Sequence, residues 1–189
     1  MANRLRELIL FRHAKSEWKQ TEGSDLDRPL SDKGKKQALK MGKWIKSQDY
    51  MPDLILVSPA NRAQQTLRRI CSECPTNAIT VPGLYRANVE TLKQILASAP
   101  NAERIMVIGH NPGFERLYRF LIEAPQDTPN EPFDSTVVKL FPTSALAHII
   151  LPQDWSNLEQ GDGKLLQFMR PKDLPQTRLT SPVPPPKHP

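Results

Sequence analysis

The chain has little cysteine, few aromatic residues and no long apolar run. Its two cysteines, Cys71 and Cys74, form a single C-x-x-C. A structural zinc site needs a second ligand pair, and a dithiol redox site needs a thioredoxin-like context. Neither accompanies this pair, so no metal is expected. Aromatic residues make up 6% of the chain, and none of them interleaves with basic residues in an RNA-binding pattern. No apolar stretch approaches the ~18 residues of a membrane span, and the opening MANRLREL lacks the apolar core of a signal peptide. A soluble cytoplasmic protein is expected, without a membrane partner. No carboxylate cluster suggests a magnesium site, and no cofactor is implied.

The chain does carry positive charge. Its 189 residues suit one domain with a sizeable core, and 26 Lys and Arg against 20 Asp and Glu leave a net charge of +6. Much of the excess falls in "KGKKQALKMGKWIK". On a helix Lys36, Lys40 and Lys43 share one face, while Ala38, Met41 and Ile45 share the other. This is the pattern of a solvated amphipathic helix, and no nucleic-acid partner is expected. In "PANRAQQTLRRICSEC", Ala60, Ala63, Leu67, Ile70, Cys71 and Cys74 recur at helical spacing, so the cysteines are expected to pack as small apolar side chains.

Residues 5–11, 53–58, 78–81 and 103–110 read as strands. Helices are expected over 31–48 with Ser31 as N-cap, from Ser58-Pro59 onward, over 88–98 with Val89, Leu92, Ile95 and Leu96 inward, and after "NPG" with Phe114, Leu117, Tyr118 and Leu121 in a stripe. This alternation predicts an α/β fold, a three-layer α/β/α sandwich with a mostly parallel sheet. Residues 135–141 and 145–151 read as a strand pair and 164–169 as a further strand, which makes an antiparallel edge. The folded domain is placed at 1–172. The proline-rich 173–189 is expected to be a disordered or extended tail.

In open α/β sheets, ligands bind beyond the carboxyl ends of the strands. The first strand ends there in Arg12 and His13, the second leads to Arg62, and the fourth ends in His110. The chain has only four histidines, and two of them occupy such strand ends. Two guanidiniums offer forked, permanently charged donors suited to a phosphoryl group. A neutral imidazole in that cationic cup can attack phosphorus and form a phosphoimidazole that water then breaks. The other imidazole can donate hydrogen bonds to the transferring oxygens.

"FRHAKSEW", "SPANRAQQT" and "IGHNPG" resemble the successive signatures of the histidine phosphatase superfamily, which includes phosphoglycerate mutases. "DRPLSDKGKKQA", the "LY" at 84–85 and "KLFPTSALAHI" resemble its small SixA-like branch, and the likeness runs over about residues 6–170. It implies the phosphoglycerate mutase-like fold, His13 as phosphorylated nucleophile, and Arg12, Arg62 and His110 as the rest of the phosphate pocket. Asn111 and the Gly113 turn would shape the wall beside His110.

The chain departs from that pattern in places. Ala14 replaces a frequent glycine. Lys15 and Lys19 stand where mutases carry Glu and Asn, and "GLYRANVETL" lacks the mutases' acid. A phosphoramidate substrate accounts for the missing acid, because its leaving imidazole is easily protonated. Glu90, Asp27 or water are the candidate proton donors. Lys15, Lys19, Arg28 and Arg86 are candidates for holding an acidic substrate at the rim, and Trp18 for covering the pocket or packing on the loop. His148 reads as a structural strand residue and His188 as part of the tail. The expectation is a metal-independent phosphatase acting on phosphohistidine in a protein, its short 14–30 segment leaving an open rim. The alternatives are a small-molecule phosphomonoesterase of the same mechanism and a non-catalytic phosphate-binding or scaffold protein.

Overall fold

The computed structural model describes residues 5–18, 23–71, 77–123, 141–152 and 155–175. They build one six-stranded sheet: β1 (Arg6–Arg12), β2 (Leu54–Val57), β3 (Asn77–Thr80), β4 (Arg104–Gly109), β5 (Leu146–Leu151) and β6 (Lys164–Met169), in the order β3-β2-β4-β1-β5-β6. The first four strands are parallel, while β5 runs antiparallel to both β1 and β6. Four helices cover the faces: α1 (Asp32–Ser47), α2 (Asn61–Ile70), α3 (Val89–Ala97) and α4 (Gly113–Ile122).

The central strands read as continuous apolar runs because both of their faces are covered. Leu8, Ile9, Leu10 and Phe11 of β1 are all fully buried. Alternate side chains separate into two cores. Leu8, Leu10, Leu56 and Val107 meet Leu92 and Leu96 of α3 and Phe114 and Leu117 of α4. Ile9, Phe11, Val57 and Ile108 meet Ala38, Met41 and Ile45 of α1 and Ala63 and Ile70 of α2. At roughly 1.5–3 kcal/mol for each large side chain buried, these layers hold the sheet rigid behind the edge that bears the polar residues.

The parallel register brings the strand ends together. Arg12 pairs with Gly109 across β1 and β4, so His13 and His110 each follow a paired residue and emerge side by side. The His13 N–H extends the ladder to Gly109 O at 3.0 Å. Behind His13, the chain packs on the start of α1: Ser31 caps the helix through Gly34 N–H and donates its own hydroxyl to Lys15 O. A Cβ at Gly34 would lie 2.0 Å from Lys15 O, so only glycine lets the helix approach this loop.

Several expectations need correction. The helix after β2 opens at Asn61 with Ala60 as its N-cap, not at Pro59; the Ser58 hydroxyl accepts the Ala60 N–H and also contacts His110 Nε2. β5 has β1 and β6 on its two edges. The partner expected for it, 135–141, lies outside the described residues except for Phe141. Cys71 packs against the α1–α2 core but is disulfide-bonded, not a free thiol; Cys74 lies outside the described residues, as do the tail beyond Pro175 and His188. Lys36, Lys40 and Lys43 are exposed as expected. His148 is structural: buried in β5, it bonds Glu7 at 2.7 Å and meets the Tyr50 ring edge-on. Among the described residues no helix is long and apolar enough to cross a membrane.

Candidate active site

The edge formed by β1, β2 and β4 gathers Arg12, His13, Arg62 and His110, as the sequence suggests. The two imidazole centroids are 4.9 Å apart, and Arg62, in the first turn of α2, is 4% exposed. Arg62 Nε donates to His13 Nε2 at 3.3 Å. Arg12 donates to Phe141 O at 2.6 Å. Asn111 donates to the same carbonyl at 3.1 Å and to Glu115 at 2.9 Å. Gly113 begins α4 so tightly that a Cβ there would lie 2.1 Å from Ala87 O.

Both histidines are held neutral. Burial is the first cause at His13, reinforced by His110, Arg62 and Arg12 and opposed by the bond to Ala14 O, and it depresses the imidazole well below its ordinary value. Burial, with Arg62 and Arg12, pushes His110 down to about 3 against the pull of Asp25. The neutral His13 has one tautomer available: Nδ1–H donates to Ala14 O at 2.8 Å, so Nε2 keeps the lone pair that Arg62 Nε–H meets. His110 Nε2 lies 2.7 Å from Ser58 Oγ, which accepts from Ala60 N–H. Among the described residues His110 Nδ1, Arg12 Nε and Asn111 Oδ1 are buried without a hydrogen-bond partner. Of these, Arg12 Nε–H and a protonated His110 Nδ1 are donors, and unpaired buried donors near a nucleophilic nitrogen suit an incoming oxyanion.

The acid candidates need correction. Glu90 lies in the first turn of α3, exposed and 4.0 Å from Lys93. Asp27 accepts the Ser24 hydroxyl, and its carbonyl holds Asn61. A carboxylate that does reach the pocket from this loop is Asp25, two residues earlier. It accepts from Arg62 Nη2 at 3.0 Å and from the Tyr85 hydroxyl at 2.8 Å, and pairs with Arg28 at 3.0 Å. Its burial favours the neutral acid, but Tyr85 and the Arg62 and Arg28 guanidiniums outweigh it and hold the carboxyl below its usual value. Ser58, Tyr85 and Glu115 are the other site residues that sequence reasoning did not assign.

The rim candidates divide. Arg28 stacks on Trp18, with its guanidinium carbon 4.7 Å from the ring centroid, and Trp18 itself is 82% exposed. It therefore packs on the loop and does not cover the histidines. Arg86 is exposed, over the Tyr85 ring and 3.9 Å from Asp25. The Lys15 side chain is exposed while its carbonyl anchors α1; Lys19 lies outside the described residues. Among the described residues no group of three or more His, Cys, Asp or Glu is arranged to hold a metal ion.

Residues 8–92 match the family model described as the histidine phosphatase superfamily (branch 1). An uncharacterized protein of Mycobacterium tuberculosis is 30% identical over 164 residues, 86% of this chain and 100% of that one. The phosphohistidine phosphatase SixA of Escherichia coli is 30% identical over 158 residues, 80% of this chain and 86% of its own length. An uncharacterized chloroplastic protein of Arabidopsis thaliana is 35% identical over 128 residues, and the match spans 59% of its length. A solved structure of the protein histidine phosphatase SixA complexed with tungstate superposes with a TM-score of 0.68 at 29% identity, covering 88% of this chain and 97% of that one. With the sheet order and strand-end residues described above, these likenesses place the chain in the histidine phosphatase superfamily, in its SixA-like branch, and make it a phosphatase.

Proposed function

We propose that the protein removes the phosphoryl group from phosphohistidine in a partner protein, with His13 as the transient acceptor and without a metal ion. The observation that carries this reading is the state of His13: neutral, with Nδ1–H committed to Ala14 O and the Nε2 lone pair facing Arg62. The likeness to a phosphohistidine phosphatase over 80% of the chain supports the substrate class.

In the first step Nε2 attacks phosphorus, the substrate P–N bond breaks, and its electron pair returns to the leaving imidazole. Arg62 Nε–H turns from Nε2 to a phosphoryl oxygen. Arg12 Nε–H and His110, with its proton on Nδ1, supply the further donors. Ser58 supports that tautomer by donating to His110 Nε2 while accepting from Ala60 N–H. In the second step water attacks the phospho-His13, the P–Nε2 bond breaks, and phosphate leaves. Asn111 contributes indirectly: its amide ties the Phe141 carbonyl, which Arg12 also uses, to Glu115 on α4. The exposed Arg86 and Lys15 leave the rim basic and open to a protein surface.

The test is turnover of a histidine-phosphorylated protein and of p-nitrophenyl phosphate in EDTA, with His13→Ala alongside. Activity that resists EDTA, favours the phosphoramidate and vanishes in the variant is expected. A preference for the ester would favour a small-molecule phosphomonoesterase, and no turnover of either substrate would overturn the reading.

A further inference from the structure

Asp25 is held more firmly than its place in a polar loop suggests. It opens a single 3₁₀ turn, Asp25–Asp27, which Asn61 of α2 fastens by donating to Asp27 O at 2.9 Å. Arg62 grips the same turn twice, through Asp25 O at 2.6 Å and through Oδ2 at 3.0 Å. A carboxylate offers about four lone-pair sites. Oδ2 takes Arg62 and Tyr85, and Oδ1 takes Arg28. Among the described residues one acceptor site on Oδ1 therefore stays free, on a side chain 35% exposed.

The position of that free site gives it a chemical meaning. One guanidinium spans the distance from nucleophile to carboxylate, with Arg62 Nε on His13 Nε2 and Arg62 Nη2 on Asp25 Oδ2. A phosphoryl group in line with Nε2 directs its leaving group outward, away from the buried His13 and toward the rim where Asp25 is exposed. Two cations, Arg28 and Arg86, stand beside it at the rim. A protonated imidazole could not settle there without a compensating negative charge. An alkoxide or phenolate leaving group would find Asp25 repulsive.

We propose that Asp25 is the specificity-determining carboxylate of this site: it accepts the distal N–H of the substrate's phosphoimidazolium ring and so selects P–N over P–O bonds. The proposal rests on the phosphohistidine reading above. The reacting ring carries a proton on the nitrogen away from phosphorus. As His13 Nε2 bonds to phosphorus, the P–N bond breaks and its electron pair collapses into the ring. The product is neutral imidazole, its remaining N–H still bonded to Asp25. No proton moves in the step, so no general acid is required, and Asp25 acts as an anion. The depressed carboxyl keeps it ionised at working pH.

Asp25→Asn keeps the size and an acceptor oxygen but removes the charge. Its kcat/KM should be measured on a histidine-phosphorylated protein and on p-nitrophenyl phosphate, whose phenolate leaves as an anion. The expected loss on the phosphoramidate is at least tenfold larger than on the ester. Asp25→Glu, which keeps the charge, should retain more phosphohistidine activity than Asp25→Asn. Equal losses on both substrates would reduce Asp25 to an anchor for Arg62 and overturn the assignment while leaving the phosphohistidine reading intact. A glutamate variant as impaired on phosphohistidine as the asparagine one would also overturn it. A wild-type protein inactive on phosphohistidine would sink both proposals.

Discussion

Replacing Ser58 with alanine removes a hydroxyl that touches no solvent, since Ser58 is fully buried at the end of β2. Two bonds go with it, the 2.7 Å contact to His110 Nε2 and the 3.3 Å bond accepted from Ala60 N. His110 Nε2 is then a buried nitrogen without a partner, and leaving such a group unsatisfied costs about 1–3 kcal/mol. For a chain of this size that corresponds to a fall in Tm of roughly 2–4 °C per kcal/mol. The larger consequence is catalytic. Without Ser58 the neutral ring no longer favours the tautomer that carries a proton on Nδ1. Losing one preorganised donor in a transition state costs up to about 10²–10³ in kcat, and a ring biased by about 1.4 kcal/mol against the right tautomer should lose about tenfold. Because Ser58 does not reach substrate, kcat should fall much more than KM changes. Steady-state kinetics on both substrates, with nitrogen-15 imidazole spectra of His110, would check this. A variant with a lower Tm but kcat within about twofold of wild type would refute the tautomer argument.

Other perturbations test other parts of the structure. The folded His110 pKa of about 3 lies below the ordinary 6.5. The unfolded chain therefore binds more protons between those values, so stability is complete above pH 6.5 and is lost as pH falls through that window. Denaturant unfolding at pH 5 should show about 2 kcal/mol less stability than at pH 7 from this residue alone, and equal stabilities would contradict the assigned burial. Gly34→Ala should destabilise by about 1–3 kcal/mol through the clash with Lys15 O, although helix propensity alone favours alanine; a raised Tm would refute the close packing of α1 on the loop behind His13. Glu7→Gln breaks a site where Arg104 and the buried His148 share one carboxylate oxygen. It should lower stability by about 2–3 kcal/mol without altering kcat, and a matching loss of activity would show that this end of β1 communicates with the other.

Arg12, His13 and His110 were legible because apolar runs of strand length stop abruptly at them, and Arg62 because a strand leads straight into its helix. In a parallel sheet all those ends lie on one edge. Asp25 was not legible. Its loop has neither periodicity nor a strong turn signal, and its significance depends on Arg62, Arg28 and Tyr85 reaching it from three different places in the chain. Glu90 and Asp27 attracted attention as carboxylates near the right motifs. Which carboxylate of the stretch "SDLD" faces inward was decided by the 3₁₀ turn, which sequence spacing does not specify. Ser58 followed by Pro59 has the pattern of a helix N-cap, and its hydroxyl does accept the Ala60 N–H. The helix nevertheless starts later, at Asn61, and the same hydroxyl also makes a tertiary bond to His110 that the sequence pattern does not announce.

The two carboxylates near the pocket also explain how Arg62 comes to be buried and Arg12 half-buried. A guanidinium removed from water without a counter-charge is costly, and Arg62 is almost completely enclosed. Asp25 neutralises it from the rim side through the two terminal nitrogens, leaving Nε for His13. Glu115, itself buried in α4, exerts a compensating charge on Arg12 and is held in place by Asn111. Each arginine thus feels an anion, and both act electrostatically on His13 and His110. The pocket stays positive enough to draw a phosphoryl dianion and to suppress protonation of both histidines, yet not so positive that folding would expel its own side chains.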